Sequence, residues 1–353
     1  NEKVPVFDFL LHLQEADLVA LNLDSVNSVS KISFDMAANF SGNKMDNLDG
    51  LIQVFGAKFI NQNDSLNLDN LIIGAHLDEI QSRINIESDF ADLSIVGTYD
   101  FSSLIESFRA VLAKYLPAVG QPMITNELKN QFELDLMVND LDEISSVFLP
   151  GLKVKTPFRV TGEINTQQGT LQLEGEISDI TWNDFNVKNI DINIQPDSDE
   201  LTSRFRIEQF NYKDEITLHN LALMVNAGQN EMNTRIVWNN LDKITYGGDM
   251  ETNILFRRES GTIRPIIDID VLPSRIIIAD SVWNLSPAKV IIDSTSVFID
   301  NFLFGSRNHF VAVNGKISED RNDQLSIELQ NMDLGNLDLY LQEDTGLKGV
   351  VNG

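Results

Sequence analysis

Four histidines, a scatter of paired carboxylates and many serines are the residues of this chain that could do chemistry. A metal-hydrolase centre wants two imidazoles at His-x-x-x-His spacing, because only then do both nitrogens reach one ion from one helical face. His12, His76, His219 and His309 are scattered through the sequence and have no such spacing. No Gly-x-Ser-x-Gly turn is present to raise a serine into a nucleophilic position. Tyr246-Gly247-Gly248 offers two glycines beside a strand pattern, which is not a phosphate-cradling loop. The pairs Glu133/Asp135 and Asp268/Asp270 stand at i, i+2, so each pair shares one face of a strand. Such pairs are open to three readings: a weak calcium site, a glycosidase acid and base, or a solvated acidic stripe. The chain has no cysteine, which excludes disulfides and thiolate metal sites. These residues predict no metal, no cofactor and no catalytic set, and so a protein that is not an enzyme.

The elements that must position any site are strands. Apolar residues alternate at period two along most of the chain, and five times the alternation slips by one position at a residue–Asn pair. Leu66 and Leu68 give way across Asp69-Asn70 to Leu71, Ile73 and Ala75. Phe185 and Val187 shift across Lys188-Asn189 to Ile190, Ile192 and Ile194. The same slip occurs at His219-Asn220 before Leu221 and Leu223, at Asp300-Asn301 before Phe302 and Phe304, and at Gln330-Asn331 before Met332 and Leu334. One inserted residue keeps the same face apolar while the backbone bends, and Asn tolerates the left-handed conformation that a bulge or corner asks for. The pattern predicts more than about twenty mostly antiparallel strands in one long, highly curved sheet with a single apolar face.

Two stretches leave this pattern. Leu104, Ile105, Phe108, Val111, Leu112, Tyr115 and Leu116 follow the i, i+3, i+4, i+7 series of a helical face, predicting a helix over 103–116. Ser103 and Glu106 read as its capping box, and Pro117, Gly120 and Pro122 as its end. A helix this short is marginal alone, so its apolar stripe is expected to dock with Phe108 buried, capping or narrowing the groove. A second, short helix is expected over 141–149, framed by Asp140 and Glu143, with Ile144 and Phe148 inward and Pro150-Gly151 as its stop. The proline- and glycine-containing stretch after the first helix suggests two modules, 1–120 and 121–353.

With 53 acidic and 26 basic residues among 353, the net charge is −27, which speaks against nucleic acid and against a basic membrane-binding patch. No run approaches the length of a membrane span, and no signal-peptide pattern is present. The chain begins at Asn1 without Met and stops at Val350-Val351-Asn352-Gly353 as if within a hairpin, which suggests an internal piece of a longer protein.

The segment Leu141–Ile194 resembles the TamB branch of the AsmA-like proteins. It runs short helix, Pro150-Gly151-Leu152, Gly162-Glu163-Ile164, Leu173-x-Gly175-x-Ile177 and Val187-Lys188-Asn189-Ile190-Asp191-Ile192. The run from Tyr246-Gly247-Gly248 through Pro273-Ser274-Arg275-Ile276, Ile299-Asp300-Asn301-Phe302 and Val313-Asn314-Gly315-Lys316 is similar to the same family, as is the helix after Gly97-Thr98-Tyr99-Asp100-Phe101. The resemblance implies a U-shaped β-taco with an apolar lumen, in the periplasm of a diderm bacterium, with an inner-membrane anchor outside this piece. It implies a conduit for phospholipid acyl chains between the two membranes or, alternatively, a scaffold for outer-membrane protein assembly beside a TamA-type barrel. The groove lining expected here is Leu71, Ile73, Leu171, Leu173, Ile190, Ile192, Leu221, Leu223, Phe302 and Phe304. Leu104, Phe108, Leu112 and Tyr115 form the capping helix.

Overall fold

Period-two alternation, cut by turns rich in Asn, Asp and Gly, folds into a mostly antiparallel β-sheet protein with two short helices. The computed structural model describes residues 4–78, 81–119, 129–197, 199–213, 216–258, 264–278, 280–333 and 349–353. Gly120 and Pro122 of the expected boundary, and Leu334 of the fifth shifted stretch, lie outside the described residues. The chain forms two units. Unit 1 takes Asn1–Val111, Pro122–Pro196 and Phe205–Thr217, and unit 2 takes Leu112–Gln121, Asp197–Arg204 and Leu218–Gly353.

Unit 1 is built from β1 (Val6–Asp17), β2 (Ser30–Ser41), β3 (Asp49–Asn61), β4 (Ser65–Leu77), β5 (Ser82–Ser88), β6 (Ala91–Thr98), β7 (Gln131–Val138), β8 (Leu152–Val154), β9 (Phe158–Asn165), β10 (Thr170–Trp182) and β11 (Phe185–Asp197). From β1 to β7 each strand pairs antiparallel with the next. β7 then pairs with β9, β9 with β10 and β10 with β11, while short β8 takes the far end of β10. Strands β12 (Glu200–Tyr212) and β13 (Ile216–Gly228) have residues in both units, as does β11 through its last residue, Asp197.

Unit 2 continues with β14 (Glu231–Asn239), β15 (Gly247–Arg257), β16 (Ile266–Val271), β17 (Ser274–Ile278), β18 (Ser281–Leu285), β19 (Ala288–Ile292), β20 (Ser296–Ser306), β21 (His309–Ser318) and β22 (Leu325–Gln330). The two-residue strands β23 (Met332–Asp333) and β24 (Val350–Val351) form a separate pair. Within the unit, β13 pairs with β14 and β14 with β15, all antiparallel. β15 is shared by β16 and β17, and β20 by β19 and β18, before β21 and β22 complete the ladder.

Four of the five Asn positions adopt the left-handed conformation: Asn189 (φ 50°), Asn220 (52°), Asn301 (58°) and Asn331 (51°). Register shifts fall at His219/Ala222 and at Ile299/Phe302, as a one-residue insertion requires. Asn331 instead makes a corner: its N–H donates to Asn352 Oδ1 at 2.7 Å and its carbonyl accepts from the His309 ring at 2.6 Å. Asn70 departs from the expectation. The left-handed residue at that level is Gly56 (φ 53°), on the paired strand β3, and the β3–β4 register stays constant across the break. Asp69 and Asn70 mark the place where β4 loses β5 as a neighbour, and both of their N–H groups donate to Asp89 Oδ2 (2.6 and 3.2 Å). The register shift at Leu13/Ala16 shows β1 breaking as well, and the shift at Ser33/Asp35 places an extra residue on β3, where Gly56 lies.

The first helix, α1 (Leu104–Tyr115), is entered through a 3-10 turn at Phe101–Ser103. Its cap is Asp100, which accepts the Ser102 N–H at 3.0 Å, so Ser103 is not the capping residue. Ser103 is buried and hydrogen-bonded to Asn130 instead, because the extra turn carries the chain past it before the α-helix begins. The second helix, α2 (Asp142–Phe148), starts with Asp142 N–H on Asp140 Oδ1 at 2.8 Å. Its buried residues are Ser145 and Val147, and Phe148, expected inward, is 54% exposed while stacking on Phe59 (5.6 Å). The Val147 carbonyl takes hydrogen bonds from the side chains of Asn61 (3.0 Å) and Asn63 (2.9 Å), and these fix which side of α2 turns inward.

Candidate functional site

Antiparallel pairing sets residues of neighbouring strands side by side on one face, so a register can be followed across the sheet. In unit 1 one file runs Phe9, Ala38, Ile52, Ile73, Ile86, Leu93, Leu136, Val160, Gly175, Ile192. The adjacent file runs Phe7, Phe40, Gly50, Ala75, Ile84, Ile95, Leu134, Gly162, Leu173, Ile194. Twenty positions over ten strands thus carry no polar side chain. Unit 2 has a comparable file: Ala227, Met232, Ile254, Ile269, Val290, Ile299, Gly315, Leu325. Small residues seat bulky neighbours in these rows. Trp238 lies so close over Gly248 that a Cβ there would come within 2.3 Å of its ring.

Burial along the unit 1 face is uneven. Ala75, Ile84, Ile95, Phe132 and Ile164 are buried, at the end of the strands where α1 leaves β6 and the chain returns to β7. The middle of the face, with Ile52, Ile73, Ile86, Leu93, Leu136 and Val160, is only half-buried. A second sheet packed on this face would bury that row as well as the end.

All ten residues expected to line a groove are half-buried. Ile73 and Ile192 share the first file, Leu173 lies in the second, and Leu171 joins a row through Ile164, Phe132 and Gly97. Leu71 continues Leu11, Met36 and Val54, and Ile190 stands opposite Ile177. These six belong to unit 1. In unit 2, Leu223 pairs with Ile236, Phe302 with Val313, and Phe304 with Val311 and Leu285, while its ring stacks on Trp283 at 5.1 Å. Leu221 lies at the break beside Asn220. Sequence reasoning missed Ile52, Ile86, Leu93, Leu136 and Val160. Their alternation was visible, but which of them meet depends on register.

The helix α1 buries only part of the apolar line expected. Ser103, Ser107, Val111 and Tyr115 are buried, whereas Phe108 and Leu112 stand 41% and 37% exposed and Leu104 is half-buried. The anchor is Asn130, fully buried, whose Nδ2 donates to Ser107 Oγ (2.6 Å) and Ser103 Oγ (3.2 Å) and whose Oδ1 accepts the Asp100 N–H (2.6 Å). Asn130 is in step with Phe132 and Leu134, which puts this anchor on the apolar side of β7. The Tyr115 hydroxyl is buried with no hydrogen-bond partner.

The opposite face is polar and stitched by ion pairs. Arg159 holds Asp135 through two hydrogen bonds (Nε–Oδ1 2.7 Å), and Arg235 holds Asp249 (2.8 and 2.6 Å) and reaches Glu251 (3.2 Å). Arg257 binds buried Asp268, with Nη2–Oδ1 at 3.0 Å, and Lys289 lies 3.7 Å from Asp270. Hydrogen bonds from the guanidinium groups hold the Asp135, Asp249 and Asp268 carboxyls below their ordinary range. Asp135, Asp268 and Asp270 of the two i, i+2 acid pairs are therefore engaged with cations, and no group of three metal-ligating side chains occurs among the described residues. Glu133 directly opposes Glu163, an arrangement that suits two solvated carboxylates. Open hollows of about 380 to 510 Å³ lie on this face of unit 1, bordered by Glu133, Asp135, Thr161, Glu163 and Glu174 in one case and by Asn85, Glu87 and Arg159 in another. They are gaps between long polar side chains on a pleated surface.

Three of the four histidines make structural ties. His12 contacts Asp35, His76 stands 3.4 Å from Asp49, and His309 bonds the Asn331 carbonyl. Comparison with family models, with curated proteins and with solved structures finds no match to this chain.

Proposed function

We propose that the apolar face takes up phospholipid acyl chains, and that the chain is part of a non-enzymatic periplasmic conduit carrying lipid between inner and outer membranes. The observation that carries this reading is the pair of uninterrupted apolar files crossing ten strands of unit 1, half-buried at their middle. An apolar strip of that extent is unfavourable in water, and each methylene laid on it gains about 0.8 kcal/mol. The breaks at Gly56, Asn189, Asn220 and Asn301 are of the kind that bend strands, and bending toward the apolar side would make the gutter of a β-taco. Helix α1, with Phe108 and Leu112 exposed, would stand at one end of the groove.

The test is lipid retention. Protein purified from a diderm host should carry phospholipid by native mass spectrometry, and a photo-crosslinking residue at Ile86 should capture it. The variant Ile86→Arg with Leu136→Arg puts two charges in the middle of the file and should lose the lipid while keeping its circular dichroism. Undiminished lipid in the folded double variant would overturn the proposal.

A second reading is an assembly scaffold working beside a TamA-type barrel. It is favoured by β1, whose Val6 and Leu10 are exposed and whose described pairing is with β2 alone, so that it offers an edge for β-augmentation. Crosslinks from Leu10 to an outer-membrane protein strand, in protein without bound lipid, would favour that role.

A further inference from the structure

We infer that one corner of unit 1 is a docking tip for the interfacial zone of a phospholipid bilayer. It is built from the segment 148–155, the β10–β11 hairpin and the end of β12. Phe148, Leu149, Trp182 and Phe185 are exposed there by 54%, 52%, 52% and 43%. These side chains are held in place by the fold. Trp182 is the register partner of both Leu152 and Phe185. The Phe185 ring lies 4.9 Å from that of Tyr212 and 6.1 Å from that of Phe210. The Asn183 N–H donates to the Gly151 carbonyl at 3.4 Å and the Lys213 N–H to the Asp184 carbonyl at 3.0 Å, so the three segments form one surface.

The chemistry fits a bilayer interface better than another protein. Trp and Tyr favour the headgroup level, where an apolar ring and a polar tip are both accommodated, and Phe and Leu favour the depth just below it. The stretch 148–158, Phe-Leu-Pro-Gly-Leu-Lys-Val-Lys-Thr-Pro-Phe, holds two lysines and no acid in a chain with 53 acidic residues. Lys153 stands opposite Thr181, next to Trp182, and the Lys213 ammonium is 5.4 Å from the Tyr212 ring centre. Lys153, Lys155 and Lys213 are exposed. Their stems can follow the aromatic surface while the ammonium groups reach lipid phosphates. By sequence, the stretches 148–158, 182–185 and 210–215 hold three lysines against three acids, so they sum to zero in a chain of net charge −27 and add little repulsion toward phosphate-bearing lipid. Apolar insertion, rather than Coulomb attraction, drives the contact.

The inference goes beyond the acyl-chain reading and stands without it, because a tip can dock whether or not the face behind it holds lipid. The absence of cysteine allows a single environment-sensitive fluorophore to be placed at will. The full chain is labelled at Leu149→Cys, at Ile86→Cys or, as a polar-face control, at Gln172→Cys, and mixed with vesicles of phosphatidylethanolamine and phosphatidylglycerol. The expected result is a blue shift and quenching by brominated lipid at 149 with none at 172. Co-sedimentation with vesicles should fall several-fold in a Leu149→Ser, Trp182→Ser variant. A silent probe at 149, or a double variant that sediments like the parent, overturns the tip. The probe at 86 reports the apolar face separately: a response there without one at 149 sinks the tip and leaves the conduit, and the converse leaves the tip and counts against the conduit.

Discussion

Asp268 shows how this protein handles carboxylates when its 53 acidic residues outnumber its 26 basic ones about two to one. It is buried on the polar side of β16, doubly bonded to Arg257 and within the influence of Lys289, and the guanidinium hydrogen bonds lower its affinity for protons. A carboxyl whose folded pKa lies below its unfolded value contributes stability that is complete above the unfolded value. That contribution is lost as the pH falls through the folded one. We therefore expect Asp268→Asn to be less stable than the parent at neutral pH by about 2 kcal/mol, with the gap closing below about pH 4. Urea midpoints measured across that range check it, and a gap that stays constant with pH would show that the ion pair contributes nothing. The Asn residues at the strand breaks are another residue-scale device. Asn189, Asn220 and Asn301 hold positive φ with a side chain that can bond locally, and Asn189 Nδ2 reaches Glu208 on the neighbouring strand.

At the scale of elements, α1 separates apolar pattern from burial. Its hydrophobic residues predict a stripe through Leu104, Phe108, Val111, Leu112 and Tyr115, yet only Val111 and Tyr115 of these are buried, together with Ser103 and Ser107. Asn130 decides this, because satisfying its amide inside the protein requires the two serine hydroxyls to face it, and an unpaired buried amide would cost about 1–3 kcal/mol. The helix is consequently rotated so that Phe108 and Leu112 are left toward solvent. Val111→Ala should then destabilise by about 2 kcal/mol and Phe108→Ala by about 1 kcal/mol or less, reversing the order that side-chain size suggests. Thermal and chemical denaturation of the two variants compare them directly; a larger loss for Phe108→Ala would mean that the phenyl ring is covered in solution.

For the whole molecule, the dominant electrostatic fact is the excess of 27 acids. Pairs such as Arg235–Asp249 and Lys31–Glu15 are exposed and screened by water, so each contributes little, while the surplus acids repel one another. Screening shortens the reach of that repulsion from about 10 Å at 0.1 M salt to about 3 Å at 1 M. The repulsive sum outweighs the few attractive pairs, so adding sodium chloride should raise the melting temperature. Chloride is the right salt because sulfate would strengthen apolar burial as well. A melting temperature that falls with chloride would indicate that the ion pairs outweigh the repulsion.

The sequence by itself determined the local elements. Alternation in Leu171, Leu173 and Ile177 or in Ile190, Ile192 and Ile194 makes strand whatever surrounds it, and the 3.6-residue period from Leu104 to Tyr115 makes helix, because side-chain direction follows from the backbone repeat. The left-handed turns at Asn189, Asn220, Asn301 and Asn331 were equally legible, since they depend on the residue's own conformational range. What tertiary structure decided was partnership. That Ile73 lies beside Ile86, and Leu136 beside Val160, is fixed by the hydrogen-bond register between paired strands. The same pairing moved the left-handed break from Asn70 to Gly56 on the neighbouring strand. It also set Asn130 under α1 and so chose which side of the helix is buried. A one-dimensional pattern specifies the faces each element has, and only the neighbours assembled in three dimensions determine what each face meets.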